Sequence, residues 1–298
     1  MAKKSSRSGS KKYYPVQRMI RCGQSTPNTQ DKFELRLDEE LSKANHRLYR
    51  QSRVYSCKLE IEPTFTGVTV EVFALRPTWM TMKAYQEAYD QFSKNSEEER
   101  SIGNDARWND FRVKSNSGAS STLVGIGIED LSTVLQGSGF GSGEYFFSEV
   151  HDSAGNARTF AWGGGTGGAV YDIMAEYDNV ANTDASPSSP INTVPYDDLH
   201  DEVDDGQKDH LQNQGNLPPY NASFMDDECY TRVAVLRADS GGPTNEGVRL
   251  STGYFDAPCG IVLIKTSRTL DLTTEAPFTF TVQSGDYKGV SAHPMLEL

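Results

Sequence analysis

Residues 55–77 read YSCKLEIEPTFTGVTVEVFALRP, and this stretch decides the fold class. Tyr55, Cys57, Leu59 and Ile61 alternate with Ser56, Lys58 and Glu60. A period of two residues is that of a strand with one face in a core and the other in water. Pro63 closes this run, because proline cannot donate to a strand ladder. Val68, Val70 and Val72 then alternate with Thr69 and Glu71 before Arg76-Pro77. The two strands are expected to pair with each other in antiparallel fashion.

Beyond Pro77 the period changes. Met82, Tyr85, Tyr89 and Phe92 fall at helical spacing, Thr78 or Thr81 is placed to cap the start, and Ser93-Lys94-Asn95 ends the stripe. Trp108, Phe111 and Val113 read as a return into the core. Short strands are expected at Thr122–Ile128, Glu144–Val150 and Arg158–Trp162, the last two as a hairpin about Asp152–Asn156. Residues 169–180, AVYDIMAEYDNV, fit a strand or a short helix, and the strand is preferred. Four further strands are expected at Cys229–Arg237, Gly247–Tyr254, Gly260–Lys265 and Pro277–Gln283. No repeat period or βαβ rhythm runs through the chain. The reading is all-β: a single jelly-roll sandwich of two antiparallel sheets, about eight strands, with long loops and a minor helix.

The 298 residues carry a net charge of −12, unevenly spread. Lys3, Lys4, Arg7, Lys11, Lys12, Arg18 and Arg21 all precede the first acid, Asp31, so residues 1–30 are strongly basic and the rest carries 22 basic residues against 41 acids. After Met1 and Ala2 the first twelve residues lack aliphatic side chains, too little apolar surface to fold alone. Residues 1–30 are therefore expected to be a basic, largely disordered arm, and 31–298 one shell domain. Such an arm neutralises phosphates without reading sequence, with Tyr13 and Tyr14 available for base stacking. The acidic remainder should not bind nucleic acid generally.

Residues 183–220 form a long acidic and proline-rich loop. Its Asp201, Asp204 and Asp205 are candidates for a structural divalent cation at a subunit contact, although the loop fails the EF-hand spacing: Val203 and Gln212 stand where oxygen ligands belong. No other cofactor is suggested. ADSGGP at 238–243 is close to the nucleophile motif of chymotrypsin-like proteases, with Ser240 as nucleophile, but no histidine stands in the setting that mechanism needs. A turn is the preferred reading, and the sequence points away from an enzyme. The glycine run at 163–168 reads as a turn, not a phosphate loop. Cys22, Cys57, Cys229 and Cys259 are too scattered for a zinc site and are expected to be buried thiols. No run is long and apolar enough to span a bilayer and no leader peptide is evident, so neither a membrane anchor nor secretion is expected.

The arm MAKKSSRSGSKKYYP, the first strands at 55–77, and the late YFDAPCGIVLIKTS and PFTFTVQSG together resemble capsid proteins of small non-enveloped viruses, most of all those with circular single-stranded DNA genomes. The resemblance implies a jelly-roll subunit that self-assembles, in sixty copies or a multiple, into an icosahedral shell. Its arm would face inward and package the genome, single-stranded DNA with RNA as the alternative. Its place would be the virion, assembled in the host nucleus or cytoplasm, and its host receptor is unknown. The competing readings are a β-sandwich module binding glycan or protein and, third, a serine hydrolase using Ser240.

Overall fold

The alternating residues at 55–61 and 68–72 form two strands, each burying one face: Tyr55, Cys57, Leu59 and Ile61 of the first, Val68, Val70 and Val72 of the second. The computed structural model describes residues 15–24, 30–61, 67–97, 108–116, 121–125, 145–151, 155–164, 167–181, 229–238, 250–270 and 278–295. Along the chain the elements are β1 (Met19–Gln24), β2 (Gln30–Arg36), α1 (Leu37–Asn45), β3 (Arg53–Ile61), β4 (Val68–Leu75), α2 (Trp79–Asn95), β5 (Lys114–Ser115), β6 (Ser121–Gly125), β7 (Glu149–His151), β8 (Ala157–Trp162) and β9 (Val170–Asp172). They continue with α3 (Ile173–Ala181), β10 (Tyr230–Ala238), β11 (Leu250–Ser251), β12 (Phe255–Pro258), β13 (Ile261–Leu270), β14 (Phe278–Val282) and β15 (Ala292–Pro294). The protein is mostly β, consistent with a sandwich. The chain divides into two compact units: the described residues within 1–75, 119–145 and 232–297, and those within 76–118 and 146–231.

In the first unit β3 and β4 do not pair with each other, contrary to expectation. β3 lies between β14 and, along its other edge, β11 and β12, while β15 continues the β14 side. β4 lies between β13 and β10. Each strand has one apolar face, and matching partners, the alternating FTFTV and the apolar run IVLIK, lie near the C-terminus. Pairing with those leaves the faces of β3 and β4 to meet across a core rather than side by side. β1 pairs with β14 and β2 with β13, both antiparallel. β6 joins the two groups, antiparallel to β1 and parallel to β2.

One apolar cluster draws on both groups: Ile20, Cys22, Leu59, Phe278 and Phe280 from one, Phe33, Leu35, Val70, Val262 and Ile264 from the other. Phe33 and Phe278 meet with ring centroids 6.5 Å apart and planes at 56°. Each such side chain contributes about 1.5–3 kcal/mol on burial, so this cluster holds the unit together. β1 begins at Met19, inside the segment expected to be arm, because Ile20 and Cys22 bury while Met19 and Arg21 face out. α1 follows β2 directly and adds Leu37 and Leu41 to the same core.

In the second unit β8 is central, antiparallel to β7 with Glu149 opposite Thr159, and parallel to β5 and β9. The expected β7–β8 pairing is therefore present. The predicted helix is α2, and the Thr78 side chain accepts from Thr81 N–H at 3.4 Å to cap it. Its Tyr85 and Phe92 pack on Phe111, with centroids 5.2 Å away in each case, and Phe160 lies 5.2 Å from Phe111. Phe111 and Val113 enter the core as expected, but Trp108 is 54% exposed, since the aromatic space is already filled by its neighbours. The 169–180 segment is not one strand: β9 lasts three residues and α3 takes over, because the buried Asp172 carboxylate accepts from Met174 N–H at 3.0 Å and Ala175 N–H at 3.4 Å. That is a helix N-cap. All four cysteines are free and buried, as expected.

Candidate functional site

The site begins where the basic N-terminal segment enters the sandwich. Gln17 N–H donates to Asn45 Oδ1 at 2.8 Å, and Asn45 Nδ2 donates back to Gln17 O at 3.0 Å, so the last residue of α1 clamps the incoming chain. Val16 lies against Gly289, where even a Cβ would stand 2.6 Å from Val16 Cγ2. Arg18 O then accepts from Val282 N–H and starts the β1 ladder. Of the expected nucleic-acid-binding residues, Arg18 is half-buried at this entry and Arg21 is exposed on β1. Lys3, Lys4, Arg7, Lys11, Lys12, Tyr13 and Tyr14 lie outside the described residues, as do Asp201, Asp204, Asp205 and Ser240.

Beside the clamp the structure assembles a basic and aromatic cluster that the sequence reading missed. Its residues come from the α1–β3 connection, the first residue of β3 and the segment after β14. Arg53 lies over the Tyr287 ring, Cζ 4.2 Å from the centroid, and Lys288 Nζ is 5.2 Å from that ring and 5.9 Å from the ring of Tyr49. Tyr49 and Tyr287 meet edge to face at 6.1 Å. Cations over ring faces are attracted by the ring quadrupole, which holds these side chains in place. The backbone locks the arrangement: Tyr49 OH donates to Lys288 O at 3.0 Å, Arg50 N–H donates to Tyr287 Oη at 3.1 Å, and Lys288 Nζ donates to Leu48 O. Arg47 and Arg50 are exposed at its rim. Burial pushes the Tyr49 phenol up from its ordinary value, with Tyr287 adding to the effect and Arg47 opposing it. A signal was present in the sequence: from Leu41 to Leu59 there are five Lys or Arg residues and no acid, in a body otherwise rich in acid.

A second polar cluster, along β2 and α1, sets two cations among three glutamates. Arg36 bridges Glu34 at 2.8 Å and Glu39 at 3.4 Å, and Lys43 bridges Glu39 at 2.6 Å and Glu40 at 3.1 Å. Burial lowers both cations, but the acids outweigh it and the net shift of each is upward, so they stay charged. Tyr145 OH donates to Asp38 Oδ2 at 2.7 Å. This network pins α1 to β2. In the second unit, a groove of about 330 Å³ between α2 and α3 is lined by Glu87, Gln91, Tyr171 and Glu176, and Tyr171 OH donates to Gln91 Oε1 at 3.2 Å. Among the described residues, no group of three or more His, Cys, Asp or Glu is arranged to hold a metal ion. No described helix is long and apolar enough to cross a membrane.

No protein-family model, curated protein or solved structure matches the chain.

Proposed function

We propose that this chain is the coat protein of a small non-enveloped virus: a jelly-roll subunit that self-assembles into an icosahedral shell and packages nucleic acid through its basic N-terminal arm. The observation that carries this reading is the nesting of the strand pairs. Eight strands of the first unit, in chain order β1, β2, β3, β4, β10, β12, β13 and β14, pair first with last, second with seventh, third with sixth and fourth with fifth. A long hairpin of strands wound over on itself has this nesting, and winding it into two facing sheets makes a jelly roll. The last strand also pairs with the third and the seventh with the fourth, which gives two runs of four paired strands, the two facing sheets on this reading.

Charge supports the same reading. Seven basic residues precede the first acid, and the body that follows is strongly acidic. Such a body repels a polyanion over most of its surface, so contact with a genome concentrates on the arm, which binds phosphates by releasing their counterions. Sixty copies or a multiple would bring many arms into one lumen. The genome is single-stranded DNA on this reading, with RNA as the alternative.

The test is negative-stain electron microscopy of the purified recombinant chain, with absorbance at 260 and 280 nm read on the same peak. Closed, uniform particles holding nuclease-protected nucleic acid are expected. A monomer free of nucleic acid across a range of salt and pH would overturn the proposal and favour a β-sandwich binding module.

A further inference from the structure

We infer that the cluster of Arg47, Arg50, Arg53, Tyr287 and Lys288 is a second binding site for single-stranded nucleic acid, formed by the folded sandwich at the root of the arm. The inference rests on the packaging reading, and it extends that reading from the arm to the shell unit itself.

Three observations carry it. First, the cluster reverses the local charge: it gathers four Lys or Arg residues, against Asp286 as the acid of the adjoining 283–295 segment. Elsewhere the acidic body offers a phosphate backbone little. Second, the cations are held in advance. Arg53 and Lys288 sit on tyrosine rings and are tied to the Ala292 and Leu48 carbonyls, so less side-chain freedom is lost when a phosphate arrives. Arginine also presents a planar fork that suits phosphate, and a flat face on which a base can stack. Third, the site adjoins the arm's entry. Asn45, which clamps Gln17, is two residues before Arg47, and Val16 touches Gly289, next to Lys288. A strand bound along the arm is thereby led onto the cluster, and this continuity favours nucleic acid over a sulfated glycan as the polyanion.

The exposed Arg47 and Arg50 allow a test that spares the packed residues. The full-length chain, its Arg47→Ala/Arg50→Ala variant, the charge-keeping Arg47→Lys/Arg50→Lys variant and a chain lacking residues 2–12 are titrated with a fluorescein-labelled oligo-dT 20-mer. Anisotropy is read between about 50 and 200 mM salt, with circular dichroism to verify folding. Each lost phosphate contact lowers the magnitude of the slope of log K against log salt by about 0.7. The alanine pair is expected to bind several-fold more weakly with a slope shallower by about 1.4, and the lysine pair to recover the slope. The arm-deleted chain should keep weak binding that the added alanine pair abolishes.

An alanine pair with unchanged affinity and slope, beside an arm-deleted chain that loses all binding, would overturn this inference and leave arm-driven packaging standing. A full-length chain that does not bind the 20-mer would overturn both. Normal oligonucleotide binding with lost affinity for a heparin hexasaccharide would reassign the cluster to a sulfated glycan and overturn the inference.

Discussion

Asp172 shows how one buried carboxylate redirects a segment. Its Oδ1 accepts from Met174 and Ala175 N–H at the start of α3 and from Gly163 N–H at 3.2 Å in the turn after β8. Replacing it with alanine should cost about 2 kcal/mol, the upper end for an N-cap, because a buried Gly163 donor is stranded as well. Asp172→Asn should recover most of this, with urea midpoints measuring both. Sequence reading missed the cap because a short apolar run after aspartate suits a strand as well as a helix, and only the three donors decide. At the same scale, Cys22 and Cys57 are fully buried thiols pushed well above their ordinary value of 9.0, by burial first and then by Glu40 and Asp256 respectively. Above pH 9 the unfolded chain loses protons that the folded chain retains. Stability is therefore unaffected by these groups below that pH and falls as pH rises toward the folded values. Each thiol adds a slope approaching about 1.4 kcal/mol per pH unit in that window. Urea unfolding at pH 8 and pH 10 should show the loss, and Cys22→Ala/Cys57→Ala should flatten it; an equal loss in the variant would contradict the assignment.

Among the elements, the corner between β12 and β13 carries the chain from one group of strands to the other. Pro258 and Cys259 occupy the middle of a turn closed by Gly260 N–H to Ala257 O at 3.1 Å, with Cys259 at φ 57°. Proline second and a left-handed residue third are what a type II turn requires. Gly260 follows at φ 68°, and a Cβ there would stand 3.1 Å from Asp38 N and 3.3 Å from the Tyr55 ring. Gly260→Ala should destabilise the unit by about 2 kcal/mol, of which the left-handed backbone alone accounts for about 1–2. A thermal midpoint within a degree of the parent would refute the close packing. Most strands and α2 were legible because their signal is local: a period of two or of three to four residues is written in adjacent side chains. Partners were not. β3 and β4 looked like a hairpin because they are neighbours in sequence, whereas strands some two hundred residues away offered the better faces.

For the whole molecule, charge is divided between a basic start and an acidic remainder, and on the proposed packaging role the first would serve nucleic acid and the second the fold. The clamp at Gln17 and the ladder from Arg18 onward hold the start of β1, and Met1–Lys12 has almost no apolar side chains to add to a core. Deleting residues 2–12 should leave the thermal midpoint unchanged while lowering the ratio of absorbance at 260 to 280 nm of the particles. Equal nucleic-acid content in the truncated protein would remove the arm from packaging. The sequence by itself established the mostly β class, the basic start, the acidic body and the buried thiols, since each depends on residue type, order and near-neighbour spacing. Tertiary structure alone decided which strands distant in sequence pair, that the described residues within 76–118 and 146–231 form a unit of their own, and that Arg53, Tyr287 and Lys288 come together. Residues 53 and 287 meet only because β3 and β14 share a ladder, and a contact between segments so far apart leaves no periodic trace in the chain that makes it.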